Sequence, residues 1–349
     1  MSESKLLSVV EHWLPRIEVA GIPSATAKDV IARAGDWSGW LSAWLDEADR
    51  NEHIAVDAET RGWRLTAGEA YARSAACAHF GQFMAFEDLD AKAAAAERKC
   101  ALYGRAAPLL DPPAERIAIP FEGAALTGYL RRPQGPAAAP LALIVPGSDS
   151  TKEEFPNFEK HFLARGIATL SLDGPGQGEG RQFGPLRPDI TPALRATLAA
   201  LETAEGLSGN VALVGMAFGG NLVLRAASAL PDLAAVVSIN GFADLGAFAP
   251  ALPQVYRDNL RFALGTADVL GAAAGFTIAT SAPITVPTLI IHGGKDKIFP
   301  VSEARASAAA CTGPVELHVL PDGNHVCNNV PWLYRPLVAD WLGDRFAGR

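Results

Sequence analysis

Val211-Ala-Leu-Val-Gly-Met-Ala-Phe-Gly-Gly220 is the stretch on which the reading of this chain turns. Residues 211–214 have the composition of a short buried strand, 215–219 form a sharp turn, and a helix is expected from Phe218. Turns of the form Gly-x-Ser-x-Gly carry a nucleophilic serine between a strand and a helix. Gly215, Gly219 and Gly220 are present here, and Ala217 stands where the hydroxyl belongs. Small residues two before and two after the centre let strand and helix approach closely, which holds the central residue in a strained backbone. The same turn aims the N–H of Phe218 into the space beside residue 217, and the helix N-terminus adds a field that favours an oxyanion. Alone, Gly-x-Ala-x-Gly is a generic strand–helix turn. Its surroundings make it more.

Three other segments supply those surroundings. Leu289-Ile-Ile-His-Gly-Gly-Lys-Asp296 reads as a late strand entering a glycine-rich loop that ends in an acid, with Pro300 suited to open the next helix. Leu320-Pro-Asp-Gly-Asn-His325 places a histidine directly after the final strand. The order elbow, Asp, His, each at the carboxyl end of a strand, is that of a serine-hydrolase triad. In it His325 is the general base and then the general acid, while Asp296 fixes its tautomer and stabilises the imidazolium. A strand at 141–145 runs into Pro146-Gly-Ser-Asp-Ser-Thr-Lys-Glu-Glu154, where Ser148 is expected to offer a backbone N–H opposite that of Phe218. Asp149 and Lys152 beside it are candidates for substrate contact, set against a plain solvated pair. Asp173-Gly-Pro-Gly-Gln-Gly-Glu-Gly180 is dense in glycine but lacks the Gly-Lys-Ser/Thr ending of a phosphate loop and the position of a dinucleotide fingerprint. A tight loop packed near the pocket is the expectation there.

Two regimes of composition flank these motifs. Residues 1–112 read as a helical domain, with amphipathic stretches at 66–79 and 91–103 and with Trp13, Trp37, Trp40, Trp44 and Trp63 packing helices together. Leu110-Asp-Pro-Pro-Ala114 marks the boundary. From 113 to 349 strands and helices alternate. A hairpin is expected over 116–121 and 125–131, turning at 122–124. Strands follow at 141–145, 167–172, 211–214, 234–239, 288–291 and 315–320, with helices at 155–165, 189–205, 218–230 and 332–346 between and after them. A proline-rich loop spans 133–140. This rhythm implies right-handed βαβ units, hence an α/β fold with a mostly parallel sheet and helices on both faces. Residues 242–285 interrupt it as a helical insertion, read as a lid over the carboxyl edge of the sheet.

The chain has 349 residues, 49% of them hydrophobic, and a net charge of −8 with both signs interspersed. No basic stripe points to nucleic acid, and no run of about 18 apolar residues points to a membrane. The beginning of the chain lacks a long apolar leader, so a cytoplasmic protein is expected. Cys77, Cys100, Cys311 and Cys327 form no CxxC pair, which suggests neither a metal site nor a disulfide framework, and Cys327 is read as pocket wall. No cofactor is expected. A small-molecule substrate is, and homodimer formation is left open.

Pro146-Gly-Ser-Asp-Ser-Thr-Lys-Glu-Glu, Asp173-Gly-Pro-Gly-Gln-Gly, Gly215-Met-Ala-Phe-Gly-Gly-Asn and His292-Gly-Gly-Lys-Asp together resemble the α/β-hydrolases. The resemblance is to the group with an added N-terminal helical domain, which includes 2,6-dihydroxypseudooxynicotine hydrolase, fungal polyketide-shortening hydrolases and FrsA-like proteins. It covers about residues 115–345 well and the helical part loosely. It implies a serine at position 217, an acid at Asp296 and a base at His325, with cleavage of esters or of carbon–carbon bonds in β-diketone-like substrates. The expectation is therefore a serine hydrolase scaffold for an ester, an amide or a β-diketone, here inactivated at its nucleophile. A serine replaced to trap a ligand is preferred over a natural relative without one. The alternatives are a non-hydrolytic binding protein, and a lyase or cyclase that uses His325 and the oxyanion hole. The pocket is expected between the sheet edge, the 242–285 insertion and the N-terminal helices, with Phe218, Phe242, Phe248, Tyr256 and Phe276 as its lining and Phe242 and Tyr256 as the preferred substrate contacts.

Overall fold

Glu122 and Gly123 both adopt positive φ, at 43° and 79°. Two such residues in succession make the tight mirror-image turn whose twist suits a hairpin, and they join β1 (Ala114–Phe121) to β2 (Ala124–Arg131). In the computed structural model, which describes residues 5–135 and 138–348, this hairpin edges an eight-stranded sheet of order β1-β2-β4-β3-β5-β6-β7-β8. The other strands are β3 (Ala139–Val145), β4 (Ala168–Leu172), β5 (Leu207–Met216), β6 (Ala235–Ile239), β7 (Thr288–Gly293) and β8 (Val315–Leu320). β2 pairs antiparallel with β4. β3 pairs parallel with β4 and β5, and the run continues in parallel through β6 and β7 to β8. Leu141, Ala142, Leu143, Ile144 and Val145 are all buried, side chains of both faces alike. That is why the central strands read as unbroken apolar runs rather than alternating ones. Of the proline-rich loop expected at 133–140, residues 136 and 137 lie outside the described residues, as do residues 1–4 at the beginning of the chain.

The chain divides into two units. One holds residues 1–116 and 153–157, the other 117–152 and 158–349. The first carries α1 (Lys5–Val10), α2 (Leu14–Val19), α3 (Ser24–Ala34), α4 (Trp40–Thr60), α5 (Arg64–Phe83) and α6 (Leu89–Ala106). Alanine at 67, 70, 75 and 78 keeps the buried face of α5 thin, so helices approach it closely. Trp40 and Trp44 are buried among each other and Phe80, and Trp40 Nε1 donates to the Phe80 carbonyl at 2.8 Å. Trp37 and Trp63 stay exposed. Lys92 is buried and donates to the Gln82 and Phe83 carbonyls, closing the C-terminal end of α5. The segment 153–157 belongs here through its side chains. Glu154 accepts from Arg16 Nε and Nη2 at 3.0 and 2.9 Å, and Glu153 lies 2.9 Å from Lys99.

The second unit adds α7 (Pro156–Leu163), α8 (Thr191–Leu201), α9 (Phe218–Ala227), α10 (Gln254–Leu264), α11 (Val269–Ala273), α12 (Val301–Ala309) and α13 (Pro331–Ala347). Only Pro156 and Asn157, at the start of α7, fall in the other unit. Between β6 and β7 the rhythm breaks into short turns, α10 and α11. Beneath the sheet's hairpin side lies a buried charge. Arg131 Nη1 donates to Glu159 Oε2 at 2.9 Å, and Ser171 Oγ donates to the other carboxylate oxygen at 2.6 Å. No helix among the described residues is long and apolar enough to cross a membrane.

Candidate active site

Ala217 caps α9 with φ 51° and ψ −115°, a conformation that a residue with a Cβ avoids. The neighbours enforce it. Its N–H donates to the Ile239 carbonyl at 2.9 Å and its own carbonyl accepts from Gly220 N–H at 2.9 Å. A methyl added at Gly215 would meet the Gly219 carbonyl oxygen at 2.2 Å, and one at Gly219 would meet the Val145 carbonyl oxygen at 2.3 Å. The elbow exists because those two positions carry no side chain. Met216 and Phe218 are buried while Ala217 itself is partly exposed.

Asp296 follows β7 and His325 follows β8, on neighbouring strands. His325 Nδ1 lies 2.9 Å from Asp296 Oδ2. Asp296 Oδ1 accepts the N–H groups of Ile298 and Phe299 at 2.8 and 3.1 Å, and Asn240 Nδ2 donates to Oδ2 at 2.7 Å. Burial pushes the Asp296 carboxyl up, but the His325 charge and these donors outweigh it and hold the group down at about 2. Asp296 is therefore ionised at neutral pH and can only accept. His325 then carries its proton on Nδ1 and presents the Nε2 lone pair, in a side chain 26% exposed. The ring edge is set by Phe299, at 4.9 Å between centroids and 89° between planes.

Asn240 ties the acid to the elbow. It follows β6, the strand between them, directly after the Ile239 carbonyl that receives Ala217 N–H. Its φ of 47° turns the side chain back onto Asp296. The residue types gave one signal for it: asparagine before glycine at a strand end tolerates the left-handed region. The sequence reading missed it. His292, also near the acid, is wholly buried. It lies 3.1 Å from the Phe299 carbonyl through Nε2, and burial drives its imidazole below the usual range.

The Pro146–Gly147 turn lies against the elbow. A Cβ built on Gly147 would stand 3.5 Å from Ala217 Cβ and 3.9 Å from Phe218 N. Among the described residues no acceptor takes the N–H of Ser148 or of Phe218. Two neighbouring backbone donors without protein partners are the raw material of an oxyanion site.

Two expected substrate contacts are corrected. Lys152 is fully buried, its Nζ 2.8 Å from Asp173 Oδ2 and 2.7 Å from Glu179 Oε2, because a buried ammonium needs carboxylates around it. Phe242 is likewise wholly buried, edge-to-face with Phe218 and Phe299, and packs as core behind the site. Asp149 is half-buried and accepts from Asn259 Nδ2 of α10 at 2.6 Å. Tyr256, on the same helix, is half-buried against the core. Cys327 is buried, its thiol pushed up to about 12 by burial, and donates to Asn240 Oδ1. It is inert packing at the site.

A parallel sheet with a strained strand–helix elbow, and an Asp–His pair at the ends of later strands, defines an α/β-hydrolase scaffold. The comparisons agree. Residues 33–278 match the family described as Esterase FrsA-like. The chain is 33% identical over 322 residues to the 2,6-dihydropseudooxynicotine hydrolase of Paenarthrobacter nicotinovorans, covering 87% of this chain and 84% of that one. Its fold superposes on a crystal structure of 2,6-dihydroxy-pseudo-oxynicotine hydrolase with a TM-score of 0.87 at 30% identity, over 96% of both chains. The α/β-hydrolase pydG of Acremonium sp is 33% identical over 244 residues, of which this chain spans 56% of the relative's length. AbyA5 shares the fold at a TM-score of 0.71 and 19% identity. The chain belongs to the FrsA-like esterase family of α/β-hydrolases, and is by class a hydrolase.

Proposed function

We propose that this site is a Ser-His-Asp acyl-transfer centre whose nucleophilic oxygen is missing, and that the chain binds a carbonyl substrate without turning it over efficiently. The observation that carries the reading is Ala217 itself, held at φ 51° with the Phe218 N–H free beside it and the His325–Asp296 pair intact after β8 and β7. A backbone this strained serves no packing purpose for a methyl group. It suits an oxygen that must be presented to a carbonyl.

With serine at 217, His325 Nε2 takes the hydroxyl proton as Oγ attacks the carbonyl carbon. The oxyanion settles between the Phe218 and Ser148 N–H groups, and His325 then protonates the leaving group. Water, deprotonated by the same imidazole, releases the acyl group. Asp296 stays ionised throughout. With alanine, binding and oxyanion stabilisation persist while covalent attack does not. Triad members act as a unit, so the loss is on the order of 10⁴- to 10⁶-fold in kcat. The substrate class is a medium-sized aromatic ester, amide or β-diketone. Support comes from the esterase description of the family and from a relative named as a 2,6-dihydropseudooxynicotine hydrolase.

The test is Ala217→Ser. It should gain labelling by a fluorophosphonate and hydrolyse aryl esters or β-diketones at least about 10³-fold faster than the alanine form. No labelling and no hydrolysis would sink the reading in favour of a binding protein. Equal turnover by the alanine form would favour chemistry without a nucleophile.

A further inference from the structure

The glycine-dense segment Asp173–Gly180 has no part in the triad, yet its Asp173 and Gln177 side chains are buried and both point at one loop. Asp173 Oδ1 accepts the Lys152 N–H at 2.8 Å, and Oδ2 accepts both Lys152 Nζ at 2.8 Å and the Glu179 N–H at 3.1 Å. Gln177, 1% exposed, donates through Nε2 to the Pro146 carbonyl at 2.6 Å and to the Gly147 carbonyl at 3.1 Å. Its Oε1 accepts the Gly174 N–H at 3.1 Å. Two carbonyls on one side and an N–H on the other admit only this orientation of the amide. Gly178 is required for the arrangement, since a Cβ there would lie 2.0 Å from Asp173 Oδ2. The segment thus grips the 146–152 loop at both ends.

We propose that Gln177 is a positioning residue for the oxyanion hole. In a trans peptide the C=O of one residue and the N–H of the next point in opposite directions. Pinning the Gly147 carbonyl on Gln177 Nε2 therefore aims the Ser148 N–H away from Gln177. Gly147 itself abuts Ala217 and Phe218 N on the elbow side. A loop of small residues such as Pro146-Gly-Ser148 has no side chain of its own to fix that peptide plane, and Gln177 supplies the constraint from behind. This rests on the reading of Ser148 and Phe218 as oxyanion donors.

The experiment has two arms. In the chain with Ala217, crystal structures of Gln177→Glu and Gln177→Leu should show the Gly147 carbonyl released and the 147–148 peptide rotated. Gln177→Glu keeps the acceptor for Gly174 N–H, so a folding defect in the leucine variant does not decide the matter. A 147–148 peptide that holds its orientation in both variants overturns the proposal whether or not any ester is hydrolysed. In the Ala217→Ser background, both variants should lose at least about tenfold in kcat with KM within about threefold, as expected when a donor acts only on the developing oxyanion. An unchanged kcat, or a loss confined to KM, also overturns it. If Ala217→Ser is itself inert, the hydrolase reading falls and the structural arm alone judges Gln177.

Discussion

At residue 217 the strain has a measurable consequence. Glycine adopts φ 51° freely, whereas alanine and serine pay a conformational penalty of about 1–3 kcal/mol, partly offset by the extra entropy glycine loses on folding. Ala217→Gly should therefore stabilise the protein by about 1 kcal/mol in urea unfolding, and Ala217→Ser should change stability by less than about 0.5 kcal/mol. A glycine variant less stable than the parent would show that the elbow is relaxed. Asp296 gives the second prediction. Its pKa falls from 3.8 to about 2 on folding, burial notwithstanding, because the His325 charge, two backbone N–H groups and Asn240 favour the carboxylate. A carboxyl depressed in the folded state stabilises the protein above its unfolded pKa, and that contribution fades as pH falls from about 4 through 2. It amounts to about 2 kcal/mol. Asp296→Asn should flatten the stability profile in that window and cost about 2–4 kcal/mol at neutral pH, since an amide leaves some of four donors without an acceptor. A parallel decline of variant and parent between pH 4 and 2 would contradict this.

At the scale of elements, the parallel sheet was legible because strands buried on both faces are short apolar runs split by helices, a pattern tied to neither register nor partner. Edges were less so. β5 begins at Leu207 rather than 211: residues 207–210 are exposed or half-exposed, and Leu207 pairs with Ala139 across an irregularity in the ladder. α8 starts at Thr191 rather than 189, where the Asp189 side chain takes the Thr191 N–H. The chain order of Ala217, Asp296 and His325, each at the end of a strand, could be read from the sequence. Asn240 and Gln177 could not, because their roles consist of bonds to residues 56 and about 30 positions away. Lys152 misled for the same reason: a loop lysine reads as solvated until its two carboxylates are known. The Arg131–Glu159–Ser171 network beneath β2 and β4 belongs to that hidden class. Both charged side chains are 1% exposed, so Glu159→Ala should take a carboxylate away from a buried guanidinium and cost about 3–5 kcal/mol. The paired change Arg131→Met with Glu159→Leu should recover much of the loss. Equal cost in the double variant would mean that volume, and not charge, dominates.

For the whole molecule, sequence order and folding units do not coincide. The composition shift at 110–114 suggested a helical domain ending at 112, whereas the helical unit also takes residues 153–157 from beyond β3. Those five residues carry the partners of its buried charges. Glu154 faces Arg16 and lies 3.0 Å from His79 Nε2. Burial raises its carboxyl, but the Arg16 charge and His79 hold it well below the usual carboxylate range. Glu153 pairs with Lys99, both nearly inaccessible, and Asn157 Nδ2 donates to the Val19 carbonyl at 3.1 Å. A fragment of residues 1–116 lacks all of these, so Lys99 loses Glu153, and Arg16 and His79 lose Glu154. Breaking each of these buried pairs costs several kcal/mol, and the losses together are comparable to the stability of a typical domain of this size. The fragment should therefore be unfolded or loosely packed, with poorly dispersed amide resonances and no cooperative thermal transition, even though its helices have high intrinsic propensity. In the full chain, Glu154→Gln, which keeps the shape but drops the charge, should unfold at lower denaturant than the parent, with the loss shrinking when Arg16→Met is added. A fragment of residues 1–116 that melts cooperatively, as sharply as the intact protein, would show that the helical core needs nothing from 153–157.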